Sequence, residues 1–166
     1  MKFTIRPAVP EDSEAVIAIL AGIASERIYT AVSTPWFVEQ QRQHQLSLSA
    51  RETIHVAESI HGKVVGYQVL ELWAATIDSM SHVGQIGTFL APECRRQSIG
   101  HSLFERTLEF ARKHDYGKLV IQVRSSNLSA QGFYRQLGFR ECGRLTRQVR
   151  IGDQVDDEVI MEFFVE

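Results

Sequence analysis

The chain of 166 residues has two cysteines, and they lack the C-x-x-C spacing. This scarcity argues against a disulfide scaffold, a zinc ribbon and a redox dithiol, and it predicts that Cys94 and Cys142 stay reduced as thiols. Long apolar runs are also missing, since the longest, residues 15–24, is about half of the ~20 residues that a membrane helix needs. Charged residues within residues 1–14 stand where a signal peptide requires an apolar stretch. We therefore expect a cytoplasmic protein with no membrane span.

An excess of charge of one sign is absent as well, because 18 Lys and Arg oppose 20 Asp and Glu for a net charge of −2. No overall attraction to nucleic acid or to a membrane surface is expected, so any polyanion site must be local. The motifs G-x-x-x-x-G-K-[ST], G-x-G-x-x-G, H-E-x-x-H and G-x-S-x-G are missing, which argues against nucleotide, dinucleotide, zinc-protease and serine-hydrolase sites. The six histidines are scattered, and no metal site is predicted.

The apolar patterns predict one domain over residues 1–166, of α/β class with a mixed sheet of the α+β type. No repeat and no Pro/Gly/Ser-rich linker divides the chain. Strands are predicted at residues 2–6, 53–60, 64–73, 82–90, 119–123, 140–150 and 154–165, and helices at residues 10–24, 35–49, 99–114 and 127–137. Strand, helix and strand with a short return imply a right-handed parallel crossover, so the strands before and after residues 99–114 should be parallel and the others antiparallel.

Residues 91–102, A-P-E-C-R-R-Q-S-I-G-H-S, are typical of a strand end, a tight basic loop and the first turn of a helix. Backbone N–H groups at a helix N-terminus lack intrahelical partners and carry the positive end of the macrodipole, so this loop with Arg95 and Arg96 could hold a phosphate or could simply begin a helix. Ser98 is small, and its hydroxyl could donate to a phosphate or cap the helix.

A second segment, residues 127–139, reads N-L-S-A-Q-G-F-Y-R-Q-L-G-F and places Asn127 and Tyr134 two helical turns apart on one face. Together the two segments resemble the GNAT acyltransferase superfamily, whose acyl-CoA loop follows Q/R-x-x-G-x-G/A; Ser98 stands where that pattern has its first Gly. The resemblance implies GNAT-like αβα layers with about seven strands, a central parallel pair and about four helices. It implies that acetyl-CoA, without a metal, is bound by Thr88, Phe89, Leu90, Arg95, Arg96, Gln97, Ser98, Ile99, Gly100, His101, Asn127 and Tyr134.

The resemblance also implies roles for these residues. Splaying between the parallel strands would free the backbone of residues 88–90 for the pantetheine arm, with the thioester carbonyl near Phe89 and Leu90. The side chain of Phe89 is expected in the core. Asn127 would cap its helix, bond to the cofactor arm, or do both through different atoms. Tyr134 would protonate the departing thiolate as general acid.

A general base is not evident, because Gln85 and Gln122 stand where many relatives carry a Glu, and an amide cannot usefully accept a proton. His82 is the first candidate, since the pKa range of histidine suits proton transfer at neutral pH. Five further candidates lie on predicted strands: Glu71, His55, Glu58, Asp156 and Asp157. A water relay or an acceptor that enters neutral are further alternatives.

The leading hypothesis is an N-acetyltransferase that moves an acetyl group from acetyl-CoA to a primary amine of a small molecule, amino acid or peptide, by direct transfer in a ternary complex. An acyl-CoA-binding module without transferase activity is an alternative motivated by Ser98, Gln85 and Gln122, and a purely structural domain is a third. The acceptor would be selected by residues 21–50 and the last hairpin, where no residue is diagnostic; residues 29–34 either face a ligand or only connect two helices. A homodimer is expected by analogy with relatives.

Overall fold

The computed structural model describes residues 2–166, which form one seven-stranded sheet and four helices. The elements are β1 Phe3–Pro7, α1 Ser13–Ser25, α2 Val38–Ser47, β2 Thr53–Ser59, β3 Val64–Leu72, β4 Val83–Leu90, α3 Ile99–Lys113, β5 Lys118–Arg124, α4 Leu128–Gln136, β6 Arg140–Ile151 and β7 Gln154–Phe164. The predicted boundaries differ most at the first turns of α1 and α2. A 3-10 turn, Pro10–Asp12, precedes α1. Phe37 is extended, with ψ of 154°, and its N–H donates to Gln40 Oε1 at 2.9 Å, so α2 begins after it.

The strand order is β1-β2-β3-β4-β5-β7-β6, and every neighbouring pair is antiparallel except β4 with β5. The predicted fold class, a mixed sheet with a central parallel pair, is confirmed. The last hairpin inserts β7 rather than β6 beside β5, an arrangement that hairpin formation alone does not predict. This order places the second strand of the hairpin inside the sheet, between β5 and β6, and leaves β6 at its edge.

β4 and β5 pair only over their first residues. The paired positions are Val83 with Lys118, Gly84 with Leu119 and Gln85 with Val120. Both strands continue beyond these pairs, so their facing backbone edges have no strand partner farther along. The predicted splaying of the parallel strands is thereby confirmed, and it leaves a wedge-shaped gap, which we call the β4/β5 gap.

The helices lie on both faces of the sheet. Tyr134 of α4 bonds to Thr88 of β4, and α3 contacts the same face, which we call the α3/α4 face. Because successive strand residues point to opposite faces, Gln85 and Arg124 point to the other one. There Arg124 donates to the backbone carbonyl oxygens of Arg27 and of a threonine three residues later, just beyond α1. Since α2 packs on α1, we call this side the α1/α2 face.

Apolar side chains form two clusters, one joining α1 to β2 and β3, the other joining β4, β5 and β7 to α3 and α4. Cys94 is buried and Cys142 exposed, and both are free thiols. Among residues 2–166, no helix has the length and apolar character needed to cross a membrane.

Candidate active site

A cleft of about 850 Å³ opens along the β4/β5 gap, a volume within the ~300–1,000 Å³ typical of small-molecule and cofactor sites. It is lined by the end of β4, the loop before α3, the first turn of α3, and α4. The residues predicted from the sequence that line it are Thr88, Phe89, Leu90, Arg95, Arg96, Ser98, Ile99, Gly100, His101, Asn127 and Tyr134. Gln97 does not line the cleft, because its amide turns back to the carbonyl oxygen of Glu93 at 3.0 Å. Within residues 2–166, no three His, Cys, Asp or Glu side chains form a group suited to a metal ion.

The backbone N–H and C=O groups of Thr88 and Leu90 point toward the β4/β5 gap. The N–H of Ala91 donates to Val65 O at 3.0 Å, which sets the alternation of the antiparallel ladder and directs the backbone groups of Phe89 toward β3. The sequence prediction that the backbone of Phe89 faces the gap is therefore wrong. Its side chain stacks on a tyrosine of β3, with ring centroids 4.8 Å apart, as the predicted core role requires.

The loop before α3 contains two residues in the left-handed region, Arg96 with φ of 59° and Ser98 with φ of 62°. This conformation costs an L-residue about 1–2 kcal/mol, so the loop at Ser98 has the shape that favours glycine. The side chain of Ser98 makes no capping hydrogen bond, so of the two roles considered for its hydroxyl the cap is not formed. Throughout the described chain, the N–H groups of residues 96–101 find no acceptor, so they are available to an anion at the helix N-terminus.

The two arginines of this loop have different surroundings. Arg95 forms a two-point ion pair with Glu26, at 3.0 and 2.5 Å, and its guanidinium lies over the ring of Tyr29 at 4.4 Å. It therefore anchors the segment after α1 to the loop before α3. Arg96 is exposed and has no ion pair within residues 2–166, so its guanidinium is the one available to a phosphate group.

Asn127 is 5% exposed and uses both ends of its amide. Its Oδ1 accepts the N–H of Ala130 at 3.0 Å, which confirms the predicted cap of α4. Its Nδ2 donates to the carbonyl oxygen of Tyr29 at 3.3 Å, which leaves one Nδ2 hydrogen for another acceptor. Because Tyr29 lines the cleft, the segment after α1 faces the site and does more than connect two helices.

The hydroxyl of Tyr134 lies at the gap, where it donates to Thr88 Oγ1 at 2.9 Å. The residue is 3% exposed, and its ring packs edge to face against Phe133 and Phe139. Burial raises the pKa of Tyr134 to about 12, and hydrogen bonds with Thr88 oppose that rise. A phenol with this pKa carries its proton at neutral pH and can give it to a base formed in the cleft.

The two histidines considered as general bases lie outside the cleft. His82 precedes β4 and is about 20 Å from Thr88 along the strand, given a rise of ~3.3 Å per residue. It lines a separate depression with Lys113 and His114, so the structure does not bring His82 to the cleft. His55 is 2% exposed on the α3/α4 face and contacts Thr107 at 3.1 Å, and burial lowers its pKa to about 4.

The four carboxylates considered as bases each contact a basic side chain, although burial raises the pKa of Glu71. Arg6 bonds to Glu58 at 2.6 Å, His44 to Glu71 at 2.7 Å, Arg124 to Asp156 at 3.0 Å and Arg144 to Asp157 at 3.4 Å. Asp156 also accepts hydrogen bonds from Ser125 and Ser126, and these contacts lower its pKa to about 2 despite burial. A carboxylate held in this way is a weak proton acceptor.

Glu158 is a carboxylate that the sequence interpretation passed over, since it follows two aspartates and resembles part of a charge run. It is 9% exposed, and no hydrogen bond or ion pair holds it in the described part of the chain. It stands opposite Arg124 on β7 and so points to the α1/α2 face, as Gln85 and Gln122 do. Like the two histidines, Glu158 does not line the cleft. Burial raises the pKa of Glu158. One sequence signal could have identified it. Ile160 lies two residues later on the same strand, so the pattern predicts that Glu158 shares a face with an apolar residue.

Residues 23–139 match the profile of the Acetyltransferase (GNAT) family, so the chain belongs to this family. A curated relative, the [ribosomal protein bS18]-alanine N-acetyltransferase of Escherichia coli, is 31% identical over 70 residues, which are 42% of this chain and 47% of that protein. Human N-acetyltransferase 8 is 34% identical over 56 residues, covering 34% of this chain and 25% of that protein. This chain thus spans less than half the length of each of these relatives.

Solved structures share the fold over the whole length. A phosphinothricin acetyltransferase from Sinorhizobium meliloti in complex with acetyl-CoA has a TM-score of 0.91 at 19% identity, covering 99% of this chain and 89% of that one. A protein of Streptococcus mutans is 31% identical with a TM-score of 0.86, covering 98% and 99%. The fold implied by the sequence resemblance is confirmed.

Proposed function

We propose that this chain is an N-acetyltransferase that moves the acetyl group of acetyl-CoA to a primary amine by direct transfer in a ternary complex. The observation that carries the proposal is that one cleft brings together three groups. These are a strand edge without a strand partner, a loop whose N–H groups have no acceptor, and a buried phenol. The N–H groups of residues 96–101 and the Arg96 guanidinium suit the pyrophosphate. The strand edge at Thr88 and Leu90 suits the amide groups of the pantetheine arm, and Tyr134 suits the sulfur.

The proposed reaction makes one bond and breaks one. The amine nitrogen forms a bond to the acetyl carbonyl carbon, the C–S bond breaks with its electron pair going to sulfur, and Tyr134 gives the sulfur its proton. N–H groups of the β4 edge that lie near the carbonyl oxygen would stabilise the charge that develops there. A general acid in this position contributes about 10²–10⁴ in rate.

Glu158 is the proposed acceptor of the proton that the amine loses, directly or through water. Two observations support it: no hydrogen bond holds the carboxylate among residues 2–166, and burial raises its pKa although the charge of Arg124 opposes the rise. It points to the same face as Gln85 and Gln122, the amides that stand where many relatives have a glutamate. The engaged carboxylates Glu71 and Asp156 lack this freedom.

The proposed acceptor is a small molecule, an amino acid or a peptide N-terminus. One relative is named for an alanine of a ribosomal protein and one structural neighbour for phosphinothricin, so both kinds of amine belong in the test. Apolar side chains with wide exposure follow α1, including Trp36 at 51% and Phe37 at 81%, and they offer an apolar surface to an acceptor. A cytoplasmic location, supported by two free thiols, and a homodimer are parts of the same proposal.

The experiment is an assay of CoA release from acetyl-CoA across amino acids, polyamines, aminoglycosides and peptides with a free N-terminus. Turnover on one class, lost in Tyr134→Phe, supports the proposal. Stabilisation by acetyl-CoA without turnover on any amine would favour an acyl-CoA-binding module; ligand at 100 times its Kd adds about 2.7 kcal/mol to the free energy of unfolding. Neither turnover nor stabilisation would leave a structural domain.

A further inference from the structure

A row of polar side chains crosses the α3/α4 face of the sheet beneath Tyr134. His55 on β2 lies directly opposite Gln68 on β3, and Gln68 lies directly opposite Thr88 on β4. Directly opposed residues of antiparallel strands point to the same face. The row is deeply placed, since His55 is 2% exposed and Gln68 is fully buried.

The contacts in this row converge on one atom, Thr88 Oγ1. It accepts a hydrogen bond from Gln68 Nε2 at 2.7 Å and another from the Tyr134 hydroxyl at 2.9 Å. A hydroxyl oxygen has two lone pairs and one hydrogen, so both lone pairs are used and the hydrogen of Thr88 stays free to turn. His55 bonds to Thr107 of α3 and takes no part in this pair of contacts.

Burying Gln68 in the interior reduces the free energy of unfolding. Its Oε1 is buried without a hydrogen-bond partner, and an unsatisfied buried acceptor costs about 1–3 kcal/mol. Methionine would fill a similar volume without that penalty. The contact that the amide does make, to Thr88 Oγ1, is therefore the feature that distinguishes Gln68 from an apolar residue at this position.

We propose that Thr88 and Gln68 are positioning residues for Tyr134, which hold its hydroxyl at the β4/β5 gap and stabilise the phenolate formed when it gives up its proton. The inference rests on the proposed acetyl transfer. As the C–S bond breaks, the O–H bond of Tyr134 breaks and an S–H bond forms. The hydroxyl of Thr88 then turns to donate to the phenolate, while its oxygen keeps the hydrogen bond from Gln68. Solvent returns a proton to Tyr134 after turnover, so no further reactant is needed.

The surroundings of Tyr134 suit this role, because its pKa is set by burial and by Thr88 alone, with no charged group contributing. Removing the Thr88 hydroxyl takes away a donor to the phenolate, so the pKa of the phenol must rise. A residue that only supports the fold would not change that pKa. The titration of residue 134 therefore separates the two roles.

The experiment places 3,5-difluorotyrosine at position 134, which acidifies the phenol into the range where the protein is folded, and follows its titration by fluorine NMR in the intact chain. Thr88→Val should shift the titration to higher pH, Gln68→Met should shift it in the same direction by less, and Thr88→Ser should leave it near that of the parent. Thr107→Val is the matched control, since Thr107 is also a buried threonine but bonds to His55. It should cause no shift.

Kinetics with ordinary tyrosine complete the test. Thr88→Val should lower kcat about tenfold to a hundredfold, the range for a lost hydrogen bond to a charged group, with KM for acetyl-CoA little changed and with rescue by Thr88→Ser. An unshifted titration in both Thr88→Val and Gln68→Met would overturn the inference, as would equal shifts in Thr88→Val and Thr107→Val. The NMR titration needs no turnover, so failure of the proposed acetyl transfer would be recognised separately by the absence of CoA release from the unmodified protein.

Discussion

The two faces of the sheet meet the β4/β5 gap with different kinds of polar group. On the α3/α4 face, Tyr134 and Thr88 are hydrogen bonded to each other, and the nearby loop offers N–H groups that any sequence carries. On the α1/α2 face the polar groups are side chains, and among the buried ones Arg124 is engaged with Asp156 while Glu158 accepts no hydrogen bond. The first face is built largely from backbone geometry, the second from individual residues.

This difference bears on how the two substrates of the proposed reaction are bound. A strand edge and a helix N-terminus bind through groups that substitution does not remove, whereas a carboxylate or an aromatic side chain can be replaced in one step. The comparison predicts that changes on the α3/α4 face affect the chemistry of sulfur, and that changes on the α1/α2 face affect the amine.

The largest expected effect tests the α3/α4 face. Tyr134→Phe should lower kcat about 10²–10⁴-fold with little change in KM for acetyl-CoA, because the sulfur loses its proton donor while the cofactor contacts remain. The measurement is steady-state CoA release at saturating amine. Tyr116→Phe is the control, since the hydroxyl of Tyr116 donates to Arg51 O at the other end of the sheet. Equal losses in both variants would contradict the role of Tyr134.

The next effect tests the α1/α2 face. Glu158 must be ionised to accept a proton, so activity should fall as the pH falls through its raised pKa, and Glu158→Gln should remove that limb and lower kcat about 10²-fold. Because the buried carboxylate is less stable ionised than in the unfolded chain, Glu158→Gln should also raise the melting temperature at neutral pH. Glu71→Gln, on the same face but paired with His44, should keep the acid limb. If the acid limb of the pH profile disappears in Glu71→Gln instead, Glu71 and not Glu158 is the base.

A smaller effect concerns the attachment of the segment after α1. Asp156→Asn should destabilise the protein on the order of 2 kcal/mol at pH 7, because the pKa of Asp156 is lowered from 3.8 to about 2 by its partners. A lowered pKa gives stability that is present above the unfolded value, so the difference from the parent should vanish as the pH falls from about 4 to about 2. Urea unfolding across that range measures it. Asp157→Asn, at a half-buried neighbour, should cost less than ~1 kcal/mol, and an equal cost would contradict the assignment.

The smallest effect concerns Ser98. Ser98→Gly should stabilise the protein by about 0.5 kcal/mol, because relief of the left-handed strain exceeds the entropy that glycine adds to the unfolded chain. Ser98→Ala should change the stability by less than ~0.5 kcal/mol, since no capping bond is lost. A loss of 1 kcal/mol or more in the alanine variant would show that the hydroxyl caps α3 in solution.

The fold and the cofactor wall of the site were predictable because they depend on local patterns. Alternating strands, the basic loop around Arg96 and the spacing from Asn127 to Tyr134 are each read within a few residues, and the structure brings them to one cleft. The cap by Asn127 was predicted for the same reason.

The errors share a different physical cause. The backbone N–H and C=O of Phe89 point toward β3 because of which residues of β3 and β4 are hydrogen bonded to each other. This pairing is not encoded in any local sequence pattern. His82 was chosen for its pKa range alone, and its distance from the cleft is set by which end of β4 opens. Glu158, the proposed base, was not among the candidates because its lack of a hydrogen bond depends on the partners that its neighbours Asp156 and Asp157 take elsewhere in the chain.

Three side chains attach the segment after α1 to the cleft. Arg95 donates hydrogen bonds to Glu26, Arg124 donates to the carbonyl oxygen of Arg27, and Asn127 donates to that of Tyr29. These three donors belong to different elements, which are the loop before α3, the end of β5 and the N-cap of α4. A ligand that alters any of them must include that change in its own binding free energy, and thermodynamic reciprocity then applies. Whatever factor acetyl-CoA imposes on the affinity for the amine, the amine imposes on acetyl-CoA, so the two affinities cannot be tuned independently through this segment.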